Sequence, residues 1–486
     1  MIDFRPIAFV VGVLLATLGI ALIFPAILDL ALGHKNWQAF AAASVVTLFF
    51  GVSMSISNKV TAPELSIRQA FLLTTLSWLA LTAFSALPFL WSEVQMNYTD
   101  AFFEAMSGLT TTGATVMTGI DQNSHGILLW RSLLQWLGGI GIIVMALAVM
   151  PMLQIGGMQL FRMESSDNSE KIVPRATQLA STIATVYLFL SVLCVIGYLL
   201  AGMSFFDAIA HSMTTIATGG LSTHDKSIGF FDGDGVKYVA IVFMILGSLP
   251  FGLYLYALNG RVDRLYKDSQ VQVFLLVLLV FVLLTWMAQY LGEAGKPGQS
   301  GADKLKDAAF HTVSIMTGTG YATGDYGTWS PFAEVLFFVM MFIGGCAGSA
   351  SCGIKIFRFQ VLYQTIKQRL FSVVQPSGIY IPRYNGRPID ERVSTAVLSF
   401  IFLFLLCFAV FTFLLSLYGL DLMTAITASA SCLTNVGPGL GDIVGPAGNF
   451  QPLPDGVKWL LSGAMLLGRL ELFAVLVLFM PTFWRQ

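Results

Sequence analysis

The stretch Asp307 to Thr323, DAAFHTVSIMTGTGYAT, decides how this chain is read. It is a short apolar segment ending in a Thr/Gly-rich turn, and it lies between two long apolar runs, Val271 to Leu291 and Phe332 to Phe357. Near-copies occur at Asp100 to Val116 and Asp207 to Thr223. In all three an Asp opens a helix-like run, and a glycine follows thirteen positions later: Gly113, Gly220 and Gly320. A looser fourth copy ends at Gly437, with Thr424 where the Asp would stand and Asp421 further back. One chain that repeats apolar run, short helix, polar turn and apolar run four times can surround a single pore with its own segments.

The composition supports a chain that lives in lipid. Hydrophobic residues make up 56% and charged residues 11%, far below the quarter charged that is usual for a soluble domain. The net charge of -1 and the lack of a Lys/Arg-rich run give no footprint for nucleic acid. Five cysteines (Cys194, Cys346, Cys352, Cys407, Cys432) lie mostly among apolar or small residues and suggest neither a disulfide framework nor a zinc site.

Apolar runs Ile7 to Leu32 and Trp37 to Ile56 flank Gly33-His34-Lys35 and read as a hairpin outside the repeats. The repeats then supply paired runs: Ala70 to Trp91 and Ile127 to Pro151; Leu179 to Ala201 and Val236 to Leu258; Val271 to Leu291 and Phe332 to Phe357; Val393 to Tyr418 and Val457 to Met480. Ten spanning helices are expected. The segments between paired runs are too short to cross, because ~10 to 13 helical residues rise only ~15 to 20 Å, about half a bilayer core. With the N-terminus inside, seventeen Lys/Arg fall on cytoplasmic segments and eight on outer ones, and Arg469 lies within a helix. That bias puts both termini in the cytoplasm and the re-entrant segments on the outer side.

Non-helical backbone at membrane depth is tolerated where it lines a watery path or is buried in protein. Half-helices aimed inward present a partial negative end to the pore centre, and the turns after them can offer carbonyls in place of a cation's water shell. The expected selective segments are Thr111, Thr112 and Gly113; Thr218, Gly219 and Gly220; Gly318, Thr319 and Gly320; and Asn435, Val436 and Gly437. The fourth wall differs, so selectivity less sharp than in a true tetramer is expected. Glu104, His211 and His311 share one repeat position and read as hydrogen-bonding support for the pore helices. A metal site is the weaker reading, since equivalent residues of pseudo-symmetric repeats point apart.

A second unusual run is Gly344, Gly345, Cys346, Ala347, Gly348, Ser349, Ala350, Ser351, Cys352 and Gly353, which interrupts what would be a continuous helix. Its small polar residues suit a loop crossing a water-filled cavity beneath the turns. Arg469, two residues before Glu471, costs about 2.5 to 3.5 kcal/mol to insert at membrane depth and should face protein or that cavity. The loop and Arg469 together are the candidate gate.

These motifs, with Gly138-Gly139-Ile140-Gly141 after the first pore segment, resemble the TrkH/KtrB/HKT superfamily of potassium transporters, and the extra N-terminal helix pair resembles its TrkH branch. The likeness covers essentially the whole chain. It implies an all-α polytopic membrane protein with two N-terminal helices and four helix–pore loop–helix repeats in pseudo-fourfold arrangement around one pore. The units would be residues 1–60, 61–160, 161–265, 266–375 and 376–486. The resemblance further implies K+ as the ion at the turn residues, uptake across the bacterial inner membrane, a homodimer with one pore per subunit, and a cytosolic TrkA-type nucleotide-binding ring. That ring would meet Arg358, Lys367, Arg369, Arg383, Arg387 and Arg392 on the longest inner connection, a basic cluster that positive-inside topology alone would also explain. No organic cofactor and no enzymatic activity are implied. A cation symporter working by alternating access is the alternative, but such transporters commonly carry inverted repeats, whereas these four share one orientation.

Overall fold

The computed structural model describes residues 2–60, 65–148, 175–291 and 300–485. The expected run to Pro151 ends outside them, as do Arg162, Lys171 and Lys296 of the charge count and the boundary between the first two repeats. Most of what is described is helical. A two-residue strand pair, Arg383–Tyr384 with Arg387–Pro388, closes around Asn385 and Gly386, both at positive φ as a tight hairpin requires.

The N-terminal hairpin consists of Arg5–Ala21 continued by Ile23–Ala31, packed along Trp37–Ser57. Glycine lets these helices approach closely: a Cβ on Gly12 would lie 2.8 Å from the Gly51 carbonyl oxygen, and Ser44 Oγ donates to the Gly19 carbonyl at 2.7 Å. The hairpin is bolted to the first repeat by buried Asp29. Its carboxylate accepts from Ser124 Oγ at 2.9 Å and from Gly126 N at 2.7 Å, the latter a free N–H at the start of helix His125–Ala148.

Seven helices among the described residues are long and apolar enough to cross a bilayer without a sharp bend. The remaining runs are the second helices of repeats two, three and four, and all three are interrupted. Asp234–Ser248 turns by 96° into Phe251–Leu258, and Asp455–Arg469 turns by 111° into Phe473–Phe479. Pro331–Met341 stops, and the chain resumes as helix Ile356–Val374. Breaks in the second and fourth repeats thus join the one expected in the third, and three of the ten expected spanning runs are not continuous helices. Pro250 accounts for the first bend, holding Leu249 extended at ψ 155. The other bend passes through Glu471 and Leu472, both at positive φ, a conformation that persists only when the surrounding structure enforces it.

Between paired helices lie four short helices: Tyr98–Leu109, Phe205–Ile216, Gly301–Met316 and Leu422–Thr434. They are pore helices one to four below. At 1.5 Å per residue they are about 18 to 24 Å long, too short to span ~30 Å of hydrocarbon. Each begins with a side-chain cap: Asn97 onto Asp100 N, Ser204 onto Asp207 N, Ser300 onto Asp303 N and Asp421 onto Thr424 N. Asn97, Ser204 and Asp421 stand at one register, so the fourth repeat moves its carboxylate from inside the first turn to the cap itself. A negative group at the positive end of the helix is preserved in all four.

Candidate functional site

Each pore helix ends in the same way. The residue after the terminal turn is left-handed: Thr111 at φ 53, Thr218 at φ 51, Gly318 at φ 76 and Asn435 at φ 54. The next residue donates its N–H five positions back, from Thr112 to Ser107, Gly219 to Thr214, Thr319 to Ser314 and Val436 to Ser431, at 2.8 to 3.0 Å. This is the hydrogen bond of a Schellman helix end. One residue further comes a second positive φ, at Gly113, Gly220, Gly320 and Gly437. Gly and Asn suit the first position, but β-branched Thr111 and Thr218 are strained there.

The four turns close on one another. A Cβ on Gly113 would overlap the carbonyl oxygen of Gly219, one on Gly220 that of Thr319, and one on Gly320 that of Val436. On Gly437 it would lie 2.7 Å from the carbonyl oxygen of Thr112. Repeat one thus touches two, two touches three, three touches four and four touches one, each through the carbonyl just before the next glycine. The twelve sequence-predicted turn residues come together in this ring, and its side chains are buried. The carbonyls of Thr111, Thr112, Thr218, Gly318, Thr319, Asn435 and Val436 accept no hydrogen bond from the described residues. Buried carbonyls left in that state call for a reason.

A collar of side chains holds the ring from outside. Glu104 accepts from Thr115 Oγ1 and Val116 N, each at 3.0 Å, and pairs with Arg131 at 2.8 Å. Arg131 also donates to Ser222 O at 2.8 Å, crossing into the second repeat. His211 reaches Ser222 Oγ at 2.9 Å, and His311 accepts from Thr323 N at 3.2 Å. Glu104, His211 and His311 therefore each brace the strand leaving their own turn, eleven or twelve residues on. The fourth repeat has Ala428 at that place and uses Thr427 Oγ1 to Leu440 O at 3.1 Å and Ser431 Oγ to Gly437 O at 2.6 Å. Tyr321 OH reaches Thr215 Oγ1 at 3.1 Å, joining the third turn to the second pore helix, and Asn435 Nδ2 donates to Thr112 Oγ1 at 2.9 Å. Arg131, Gln135 and Tyr321 were not among the sequence-predicted site residues, since only the fold brings them to the ring.

Beneath the ring lies the loop from Gly344 to Gly353. It is stitched to the ends freed by the break in repeat two: Cys346 N donates to Ser248 O at 3.0 Å, Ala350 N to Gly247 O at 3.1 Å, and Phe251 N to Gly348 O at 2.9 Å. Its far end meets the turns, with Thr111 Oγ1 3.7 Å from Cys352 Sγ and a Cβ on Gly318 3.4 Å from Cys352 N. Arg469, at the end of its helix where the chain bends, donates to Ala350 O at 3.1 Å and lies 2.5 Å from Cys352 Sγ. Its other nitrogen is 3.4 Å from Gly138 O. The ten loop residues and Arg469 are thus in one place, against the inner side of the ring.

The fold that carries this ring is shared with a solved structure. The crystal structure of the potassium transporter TrkH from Vibrio parahaemolyticus superposes with a TM-score of 0.92 at 36% identity, covering 100% of both chains. The model of the family described as TrkH, cation transport protein, matches residues 36–486. The chain belongs to the TrkH family. Among its relatives, the Trk system potassium uptake protein TrkI of Halomonas elongata is 42% identical over 99% of this chain and 97% of its own length. The Trk system potassium uptake protein TrkH of Salmonella typhimurium is 38% identical over 99% and 100%. As in other members of this family of transport proteins, the chain is multi-pass.

Two features at the edges of this TrkH-family structure qualify the sequence reading. Arg358, expected on the inner basic surface, is buried: it pairs with Glu471 and lies 3.6 Å from the Phe400 ring centre. It braces the bend of the last helix and is withdrawn from that basic cluster, whereas Lys367, Arg369, Arg383 and Arg392 are exposed. Toward the starts of the pore helices, the Asp residues of the first and third pair with lysines of the preceding repeats, Asp100 with Lys458 at 2.5 Å and Asp307 with Lys237 at 3.6 Å. Asp207 instead lies 3.5 Å from His224, which bonds Asp121 of the first repeat at 2.5 Å and stacks on Phe230. Burial would lower the His224 pKa, but the two carboxylates outweigh it and hold it above its ordinary value.

Proposed function

We propose that the chain takes up potassium by letting K+ pass through the ring of four turns. The carrying observation is the closed ring itself, in which paired left-handed residues shape each turn and the buried carbonyls of Thr111, Thr112, Thr218, Gly318, Thr319, Asn435 and Val436 accept from no group of the described residues. Such carbonyls can replace the hydration shell of a cation, and the four pore helices direct their partial negative ends toward the same point. The potassium named in the relatives and in the solved structure supports that choice of ion. The selective residues are the twelve of the ring, Thr111 to Gly113, Thr218 to Gly220, Gly318 to Gly320 and Asn435 to Gly437. The repeat units 61–160, 161–265, 266–375 and 376–486 each contribute one wall, and 1–60 stands outside.

In this reading the loop Gly344 to Gly353 is the gate and Arg469 holds it shut. The loop's small side chains let it move without rebuilding the packing around it, and the guanidinium puts positive charge beside the path. The protein works in the bacterial inner membrane with both termini cytoplasmic, as a homodimer with one pore per subunit. A TrkA-type nucleotide-binding ring docks on the exposed inner basic residues.

The test is ion flux into liposomes holding purified protein, with potassium, rubidium and sodium gradients imposed separately. Potassium and rubidium are expected to pass well ahead of sodium. Gly113→Ser, which drives a side chain into the Gly219 carbonyl, is expected to reduce that preference. Wild-type ion ratios in this variant would remove the ring from the role.

A further inference from the structure

We infer that Gln135, which lies outside all four turns, is a specificity-positioning residue for the ring, a conclusion that rests on the reading above. The residue just before the key glycine is Thr112, Gly219, Thr319 or Val436, so three turns carry a branched side chain there and the second carries none. The vacancy is filled from another repeat. A Cβ on Gly219 would overlap the amide carbon of Gln135 and lie 2.6 Å from both its Nε2 and its Oε1. Gln135 therefore occupies the space that Thr112, Thr319 and Val436 fill with their own atoms.

The filling group is polar and bonded through both its nitrogen and its oxygen. Gln135 is completely buried on helix His125–Ala148. Its Nε2 donates to Gly219 O at 2.6 Å, and its Oε1 accepts from Leu221 N at 3.0 Å. The amide bridges the two residues flanking Gly220, as a neighbouring strand would. The orientation is fixed by this pair of bonds, since a flipped amide would set donor against donor and acceptor against acceptor. Close approach of the helix is allowed by Gly138 and Gly139: a Cβ on the first would overlap Leu109 O, and one on the second would lie 3.0 Å from Ala217 Cα.

The consequence for the ring is an asymmetry in its second wall. The carbonyls of Thr112, Thr319 and Val436 accept nothing from the described residues, whereas that of Gly219 is held by the Gln135 amide. The position of this carbonyl, and the φ of Gly220 beside it, are set by a side chain of repeat one. Without the amide, the two-glycine segment Gly219-Gly220 has no side chain of its own to limit its conformations. Gln135 thus fixes how sharply the second wall contributes to discrimination between ions.

The experiment compares potassium-to-sodium flux ratios in liposomes for the full chain and for Gln135→Leu, Gln135→Met, Gly220→Ala and the pair Gln135→Ala with Gly219→Ser. A ratio does not depend on how much protein inserts, so a purely structural loss leaves it unmoved. Either Gln135 variant that inserts is expected to lower the ratio about tenfold, in line with losing one buried hydrogen bond's worth of positioning. The paired variant, which returns a small polar side chain to the second turn, is expected to recover part of that loss. Should Gly220→Ala collapse the ratio while Gln135→Leu and Gln135→Met keep it, Gln135 has no such role and the ring reading stands. Should all of them keep the wild-type ratio, both readings fall.

Discussion

Replacing Arg131 by Met asks how much the buried collar is worth. The guanidinium bonds Glu104 Oε1 and Ser222 O, each at 2.8 Å, and Thr115 Oγ1 at 3.1 Å. Both ion-pair side chains are essentially fully buried. Met fills much of the volume, but it leaves the Glu104 carboxylate with two neutral donors, Thr115 Oγ1 and Val116 N, and no counter-charge. Removing one partner of a buried pair costs about 3 to 5 kcal/mol, because the remaining charge is uncompensated. The stranded Ser222 carbonyl belongs within that figure. Changing Glu104 to Gln in the same chain removes the orphaned charge, so the double variant is expected to be clearly more stable than Arg131→Met alone. Equilibrium unfolding in mixed micelles, run on wild type, both single variants and the double, measures the coupling. A loss below about 1 kcal/mol for Arg131→Met, the range of exposed pairs, or strict additivity of the two changes, would refute the reasoning.

Three further outcomes follow from the geometry. Arg469→Ala is expected to raise potassium flux in the absence of any partner: the Coulomb barrier against a cation about 6 Å away is ~3 kcal/mol at an effective dielectric near 20, and uptake equal to wild type would put the gate elsewhere. His224 is held above its ordinary pKa of about 6.5, so its charged form favours the folded state, with that contribution complete below this value and lost as the outer pH rises through the raised one. Melting of wild type is therefore expected to fall with alkalinisation over that window and that of His224→Gln to fall less; equal slopes would exclude His224 as the cause. Neutralising Lys367, Arg369, Arg383 and Arg392 together is expected to weaken capture of a TrkA-type ring, and unchanged capture with normal insertion would leave them a purely topological role.

The sequence made the ring's glycines legible because their spacing from a recurrent Asp is a local signal, and because a positive φ next to the carbonyl of a neighbouring repeat leaves glycine little competition. The left-handed positions two residues earlier were less visible. Gly318 and Asn435 look suited to such a turn, but Thr111 and Thr218 do not, and only the common hydrogen bond back into the helix reveals that all four are equivalent. The bends in repeats two and four differ in the same way. Pro250 could be read as a break, whereas nothing in the residue types of Glu471 and Leu472 announces positive φ. Their conformation is imposed by Arg358 and by the packing around the last helix.

The groups that sequence reasoning missed have one property in common: they act across repeats. Arg131 and Ser222 are 91 residues apart, Gln135 and Gly219 are 84 apart, and Tyr321 and Thr215 are 106 apart. A repeat pattern reports what is the same in each unit, and these residues supply what differs. The departure in the fourth repeat illustrates the point. Loss of the Asp thirteen residues before Gly437 reads as a weakened wall, yet Asp421 restores the carboxylate at the cap and Asn435 ties the same turn to Thr112. Fourfold geometry is thus kept with unlike side chains, and these departures within a repeat are answered by a residue of the same repeat or of a neighbouring wall. It follows that exchanging equivalent residues between repeats, for instance Gly219→Thr to match Thr112 and Thr319, should be more damaging than the symmetry of the backbone suggests, because the place is already taken by Gln135.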